Sequence, residues 1–124
     1  SWWYYKGAGG GLMEWTPRPD IFPNGMKALN DRMRPFPLTL HNRWFDPNCK
    51  HCDGFKCIKE DRMALPLSKE GFKAMIAPAK AWGLKIYEQD WLVTTYMRMN
   101  ATRNSLTNAE QWLRAMHDAV FELD

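Results

Sequence analysis

Asp90 is the residue in this sequence best placed to do chemistry. It closes the stretch Leu84-Lys85-Ile86-Tyr87-Glu88-Gln89-Asp90, which begins as a strand, and it stands between Tyr87 and Trp91. A carboxylate at a strand end with aromatic neighbours is partly desolvated and fixed in direction, which suits attack on an anomeric carbon. Retaining glycoside cleavage also needs a second carboxylate as acid/base, about 5 Å away across the scissile bond. Glu88 shares a strand face with Asp90 but lies too near it along the chain to bracket a sugar. The structural alternatives for Asp90 are a cap on the following turn or an ion pair with an arginine such as Arg43. A second polar cluster, His41-Asn42-Arg43-Trp44-Phe45-Asp46, follows the short strand Leu38-Thr39-Leu40. Strand ends commonly carry chemistry, so this cluster reads equally as part of a site or as a hydrogen-bonded turn with Trp44 in the core.

The cysteines form a separate constellation. Cys49, Cys52 and Cys57, with His51 among them, sit in a charged segment, residues 46–66, that reads as one long loop. Zinc needs four ligands in a tetrahedron, and His51, between two cysteines, is badly placed to turn towards the same ion. The competing reading is a loop-stapling disulfide with the third cysteine paired elsewhere or free, and spacing alone does not assign the pairing. Metal binding and reduced thiols stay open for the cysteines, while retaining glycoside cleavage at Asp90 would use no metal or organic cofactor. Asn100-Ala101-Thr102 is an N-glycosylation acceptor pattern, which together with the cysteines points to an extracellular or lumenal protein. Gly7 and Gly9-Gly10-Gly11 read as a bent structural loop, since the Lys-Ser/Thr of a phosphate loop is missing.

These groups must be positioned by a small number of elements. Asn24 is expected to cap a short helix with Met26, Leu29 and Met33 on one face, ended by Pro35-Phe36-Pro37. Ser68 is expected to cap a second helix whose Phe72, Met75, Ile76, Ala79 and Trp82 form one stripe, ending at Gly83, with a kink or early break at Pro78. A strand from Leu84 and a polar loop through about Asn104 follow. Thr107 or Asn108 is expected to cap a last helix that buries Trp112, Leu113, Met116, Ala119 and Val120. Helices alternating with strands argue for parallel βα units.

The chain has 124 residues, a formal charge of +3, 45% hydrophobic and 14% aromatic residues. That suits one domain and leaves no room for a two-domain enzyme. A mixed-sign charge of this size does not argue for nucleic acid, and no apolar run is long enough for a membrane span. The seven Trp residues could line a sugar site as readily as fill a core. Ser1 opens directly into Trp2-Trp3-Tyr4-Tyr5 with no initiator Met, and two strands cannot shield a sheet, so a section of a larger α/β domain is expected.

Three stretches carry a resemblance when taken in order: Phe22-Pro23-Asn24-Gly25-Met26-Lys27-Ala28-Leu29, then Leu38-Thr39-Leu40-His41-Asn42-Arg43-Trp44, then Ala79-Lys80-Ala81-Trp82-Gly83-Leu84-Lys85-Ile86-Tyr87-Glu88-Gln89-Asp90. Residues 15–46 and 72–91 resemble the middle of the catalytic barrel of α-galactosidase-type glycoside hydrolases. That clan includes the raffinose-synthase-like proteins, with the α-glucosidases and α-xylosidases more distant. The resemblance implies that residues 1–124 are a fragment of one (β/α)8 barrel domain, two to three βα units around strands 3 and 4. It implies Asp90 as nucleophile, Trp44 and Trp91 as apolar walls, and His41 and Arg43 as donors to sugar hydroxyls. Glu88 stands where many members carry a sugar-binding Lys, which leaves open a different sugar or a catalytically altered relative. The acid/base would come from a later strand, so this chain alone is expected to be inactive. The implied partners are carbohydrate and the remainder of the parent chain. The alternative class is a non-catalytic carbohydrate-binding or structural protein of the same descent. A small zinc module for nucleic acid accounts for the cysteines but not for amphipathic helices paired with strands.

Overall fold

A computed structural model of the chain describes residues 2–124. The glycine-bearing segment is a hairpin: β1 (Tyr4–Tyr5) pairs antiparallel with β2 (Leu12–Glu14). Its turn folds back so tightly that a Cβ on Gly10 would collide with the Lys6 carbonyl, and one on Gly11 would lie 2.8 Å from the Trp44 indole. Helix α1 (Gly25–Met33) buries Met26, keeps Leu29 partly covered and leaves Met33 exposed. Strand β3 (Leu38–Asn42) follows and runs into Phe45, which bridges Leu12 on one side and Ala64 on the other.

The cysteine segment is more structured than its composition suggests. A 3-10 turn (Lys50–Cys52) leads to β4 (Cys57–Lys59), which pairs antiparallel with β5 (Ala64–Pro66). Through Phe45 the two hairpins join into one small sheet. Cys52 and Cys57 are disulfide-bonded, and Cys49 is a buried free thiol.

Helix α2 (Lys69–Trp82) matches its sequence signals at both ends. The Ser68 hydroxyl accepts from the Gly71 N–H at 3.1 Å, and Gly83 closes the helix in the left-handed region at φ 97°. Pro78 does not end it. An interior proline costs a helix roughly 3 kcal/mol, whereas fully buried Phe, Met and Ile side chains contribute roughly 1.5–3 kcal/mol each. Phe72, Met75, Ile76 and Ala79 are all buried, so packing overrides the local penalty. Strand β6 (Leu84–Gln89) returns beside β3 in parallel, with Leu40 opposite Tyr87, His41 opposite Glu88 and Asn42 opposite Gln89.

The expected polar loop is two short helices, α3 (Leu92–Arg98) and α4 (Asn100–Arg103). The last helix, α5 (Leu106–Leu123), starts two or three residues earlier than expected, with Ser105 rather than Thr107 or Asn108 as its cap. It packs against α2. Trp112, Ala115 and Ala119 form its buried side, whereas Leu113 is 47% exposed.

The barrel expectation is overturned. Among the described residues only β3 and β6 pair in parallel; the other strands form antiparallel hairpins, and no repeated βα unit is present. The chain is a small mixed α/β domain of five helices and short strands. The segment after β3 returns on itself as a hairpin, and the segment after β6 coils into helices, so neither adds a strand to the parallel pair. One face of the parallel pair is closed by aromatic packing. Trp15 contacts Trp3, Trp82 and Tyr87 at centroid separations of 5.2, 6.3 and 5.3 Å.

Candidate functional site

Successive residues of a strand point to opposite faces. On β6 that places Tyr87 and Gln89 on the face towards the tryptophan cluster, and Ile86 and Glu88 on the other, with Asp90 continuing the latter. The buried face is a network of polar groups at the strand ends. Asn42 is fully buried, and its Nδ2 donates to the Tyr87 hydroxyl at 3.0 Å. That hydroxyl donates to Gln89 Oε1 at 2.7 Å, and Gln89 Nε2 donates to the carbonyls of Arg43 and Asp90, both at 3.2 Å. Burial above all raises the Tyr87 pKa, so the hydroxyl keeps its proton and its place as a donor. The indoles of Trp3 and Trp15 both donate to the His41 carbonyl, at 2.8 and 3.1 Å. The Asp90 N–H donates to the Asn42 carbonyl at 2.8 Å. The backbone beneath His41 and Asp90 is thus held from several directions.

On the open face His41 and Asp90 meet. Asp90 Oδ2 lies 3.1 Å from His41 Nε2, and Asp90 Oδ1 accepts from the Trp91 N–H at 2.7 Å. A carboxylate only accepts, so Nε2 of His41 carries the proton in this pair. The Trp91 N–H first, and His41 second, hold the Asp90 pKa below its ordinary value. Asp90 is therefore an ionised carboxylate at neutral pH with a 57% exposed side chain. Each oxygen spends one lone pair on a hydrogen bond and keeps another for an incoming group.

Trp91 follows in the left-handed region, at φ 61° and ψ 30°. A non-glycine residue there is strained by about 1 kcal/mol or more, and such strain gathers at functional sites. The conformation turns the chain abruptly from β6 into α3 and stands the Trp91 ring edge-on to Trp44, centroids 5.0 Å apart. Two tryptophans and the His41–Asp90 pair therefore share one end of the parallel strands.

The remaining residues named from sequence fall differently. Arg43 lays its guanidinium 3.6 Å over the Tyr5 ring, and its Nη1 donates to the Ala8 carbonyl at 3.4 Å. Its Nε and Nη2 are sealed without a partner, and the guanidinium also lies 5.4 Å from the Trp44 ring, so Arg43 packs between the first hairpin and Trp44. Burial, partly opposed by Arg43, pushes the Tyr5 pKa up to about 12. Glu88 is exposed, in register with His41. Asn100 opens α4 on the surface, while Thr102 of the same acceptor triplet is 2% exposed and donates to the Tyr96 and Met99 carbonyls. The expected cap and Arg43 pair for Asp90 resolve into the Trp91 N–H and His41.

A cleft of about 980 Å³ opens beyond Trp44. Its lining includes the glycine turn, the loop between β4 and β5, and the end of α3 with α4. Sequence reading passed over this cleft and the Asn42–Tyr87–Gln89 network. Strand alternation could have found the network. No local pattern signals the cleft, because its walls come from segments far apart in the chain. Among the described residues no cluster of His, Cys, Asp and Glu has the makings of a metal site, and no helix is long and apolar enough to cross a membrane. No family model, curated protein or solved structure matches the chain.

Proposed function

We propose that this chain carries the sugar-binding and nucleophile-bearing part of a retaining glycoside hydrolase for α-linked, galactoside-like sugars. The observation behind this is the Asp90 carboxylate, ionised, aimed by Trp91 N–H and His41, and placed beside two tryptophan rings. An apolar ring face covers one side of a pyranose, while an ionised carboxylate meets its anomeric carbon. In the proposed step an Asp90 oxygen forms a bond to the anomeric carbon as the glycosidic C–O bond breaks, and the leaving oxygen takes the bonding pair. His41 keeps Asp90 oriented, and the strained Trp91 presents its ring to the sugar. The reading assigns no acid/base within this chain. The Cys52–Cys57 disulfide supports an oxidising, extracellular or lumenal setting.

An α-galactosyl fluoride tests this directly, because fluoride leaves without protonation. Attack by Asp90 forms a glycosyl ester and releases fluoride, and a 5-fluoro substituent slows hydrolysis of the ester. Mass spectrometry is expected to find one sugar on the peptide containing Asp90, and none in Asp90→Asn. Sugar binding without an adduct would replace this reading with the non-catalytic carbohydrate binder. Absence of both binding and adduct would overturn the sugar reading.

A further inference from the structure

The cleft beyond Trp44 is unusual in its charges. Lys6 faces the buried Asp46 carboxylate at 3.9 Å, so those two charges offset each other. The Glu60 carboxylate accepts from the Asn100 and Ala101 N–H groups, both at 2.9 Å, and is committed to the start of α4. What remains along the walls is Arg62, Arg98 and Arg103 against the carboxylates of Asp61 and the hydrogen-bonded Glu60, an excess of one positive charge. Among the described residues none of the three arginines is in an ion pair; Arg103 only reaches the Asn100 side-chain oxygen, at 3.3 Å. All three are exposed, yet they come from two separate segments, residues 60–63 and 97–103, and meet at one opening.

That opening is continuous with the strand-end site. Trp44 lines the cleft and touches Trp91. Helix α3 runs from beside Asp90 to Arg98 over seven residues, a rise of about 10 Å, which is the span of a short oligosaccharide rather than of one ring. A guanidinium binds planar carboxylates and sulfate oxygens through two parallel N–H groups, and unpaired arginines are ready to do so.

We infer that the cleft lined by Arg62, Arg98 and Arg103 is a subsite for an anionic sugar unit, one bearing a carboxylate or a sulfate ester, in an oligosaccharide whose other end reaches Trp44, Trp91 and Asp90. This rests on the sugar reading of the strand-end site and deepens it from galactoside-like to acidic, galactose-configured glycans. The uncharged sugar at Asp90 is held by stacking, and the charged unit is held further along by the arginines.

The test is calorimetric titration with three probes: a neutral α-linked galactotriose, its sulfated form, and an α-linked trigalacturonate. At least one acidic trimer is expected to bind about tenfold more tightly than the neutral one, since charge-assisted hydrogen bonds are about twice as strong as neutral ones. The two acidic arms distinguish a carboxylate subsite from a sulfate subsite. Arg62→Gln combined with Arg98→Gln is expected to bring the acidic trimer to within about twofold of the neutral one. Arg114→Gln, an exposed basic position on α5 away from the cleft, is expected to leave the preference intact. Equal binding of acidic and neutral trimers, or a preference that survives the double substitution or is lost in Arg114→Gln, overturns the anionic subsite while the sugar reading stands. Failure of all three trimers to bind overturns both.

Discussion

His51, badly placed for a metal among the cysteines, is given a different task by its surroundings. Its Nε2 accepts from the Trp15 N–H at 2.8 Å, which requires the neutral ring. Burial above all, with a smaller push from Lys50, lowers its pKa and outweighs the pull of Glu14 and Asp53. The sign of the linkage follows. Below the ordinary histidine pKa of about 6.5 the unfolded chain takes up a proton that the folded ring refuses, so folding stability is full above that pH and declines as pH falls through it. The decline ends once the pH is low enough for the folded ring to protonate as well. His51→Gln can still accept from Trp15 but has no proton to gain. Urea unfolding between pH 7.5 and 5 is expected to show a smaller loss of stability in His51→Gln than in the parent. Equal slopes would remove His51 from the account. Asp90 shares the direction but not the cause: hydrogen bonds rather than burial lower its pKa, so it stays ionised where an ordinary carboxylate would begin to take up a proton.

Elements position these residues through close backbone approach. The hairpin of β1 and β2 reaches the strand-end site because Leu12 exchanges backbone hydrogen bonds with Trp44 and Asp46, at 2.8 and 3.0 Å. Gly11 makes this approach available: a Cβ there would lie 2.7 Å from the Asp46 nitrogen and 2.8 Å from two atoms of the Trp44 indole. Gly11→Ala must therefore shift the hairpin or rotate Trp44 away from Trp91. Overpacking of this kind destabilises by about 1–3 kcal/mol. The urea midpoint is expected to fall accordingly, with a change in tryptophan fluorescence. An unchanged midpoint and spectrum would mean that the hairpin does not set the Trp44 ring.

At the scale of the whole molecule, the cysteine segment ties the antiparallel hairpins to the α2–β6 side. The Cys52–Cys57 bond closes a loop of only five residues' separation, and the chain-entropy relation assigns such a small loop about 2 kcal/mol. Replacing both cysteines with serine is expected to lower stability by about that amount without unfolding the domain. Cys49 is fully buried, and burial chiefly pushes its pKa up to about 12. Only a thiolate alkylates, so iodoacetamide at pH 8 is expected to leave the native chain unlabelled. In urea it is expected to add one label, and three after reduction. A label on the native chain would contradict a buried free Cys49.

Much of the helical framework was written locally. Ser68 and Gly83 bound α2 because a hydroxyl cap and a left-handed glycine act within one turn, and the stripe from Phe72 to Ala79 follows from helical periodicity. The strand character of residues 38–40 and of the stretch from Leu84, and the polar ends that carry His41 and Asp90, were legible for the same reason; pairing extends the first strand to Asn42. Tertiary structure decided what lies between and around them. Short apolar runs have no preferred partner until packing supplies one, so the 46–66 segment became a hairpin and the barrel expectation failed. Arg43 was drawn onto Tyr5, a ring 38 positions away, with Trp44 on its other flank. Asp90 met His41 across a register that only β3–β6 pairing defines. The arginines share one cleft because the β4–β5 loop lies against the end of α3 and α4, held by Glu60 on the N–H groups of Asn100 and Ala101. Local rules set which residues could act, and long-range packing chose which of them meet.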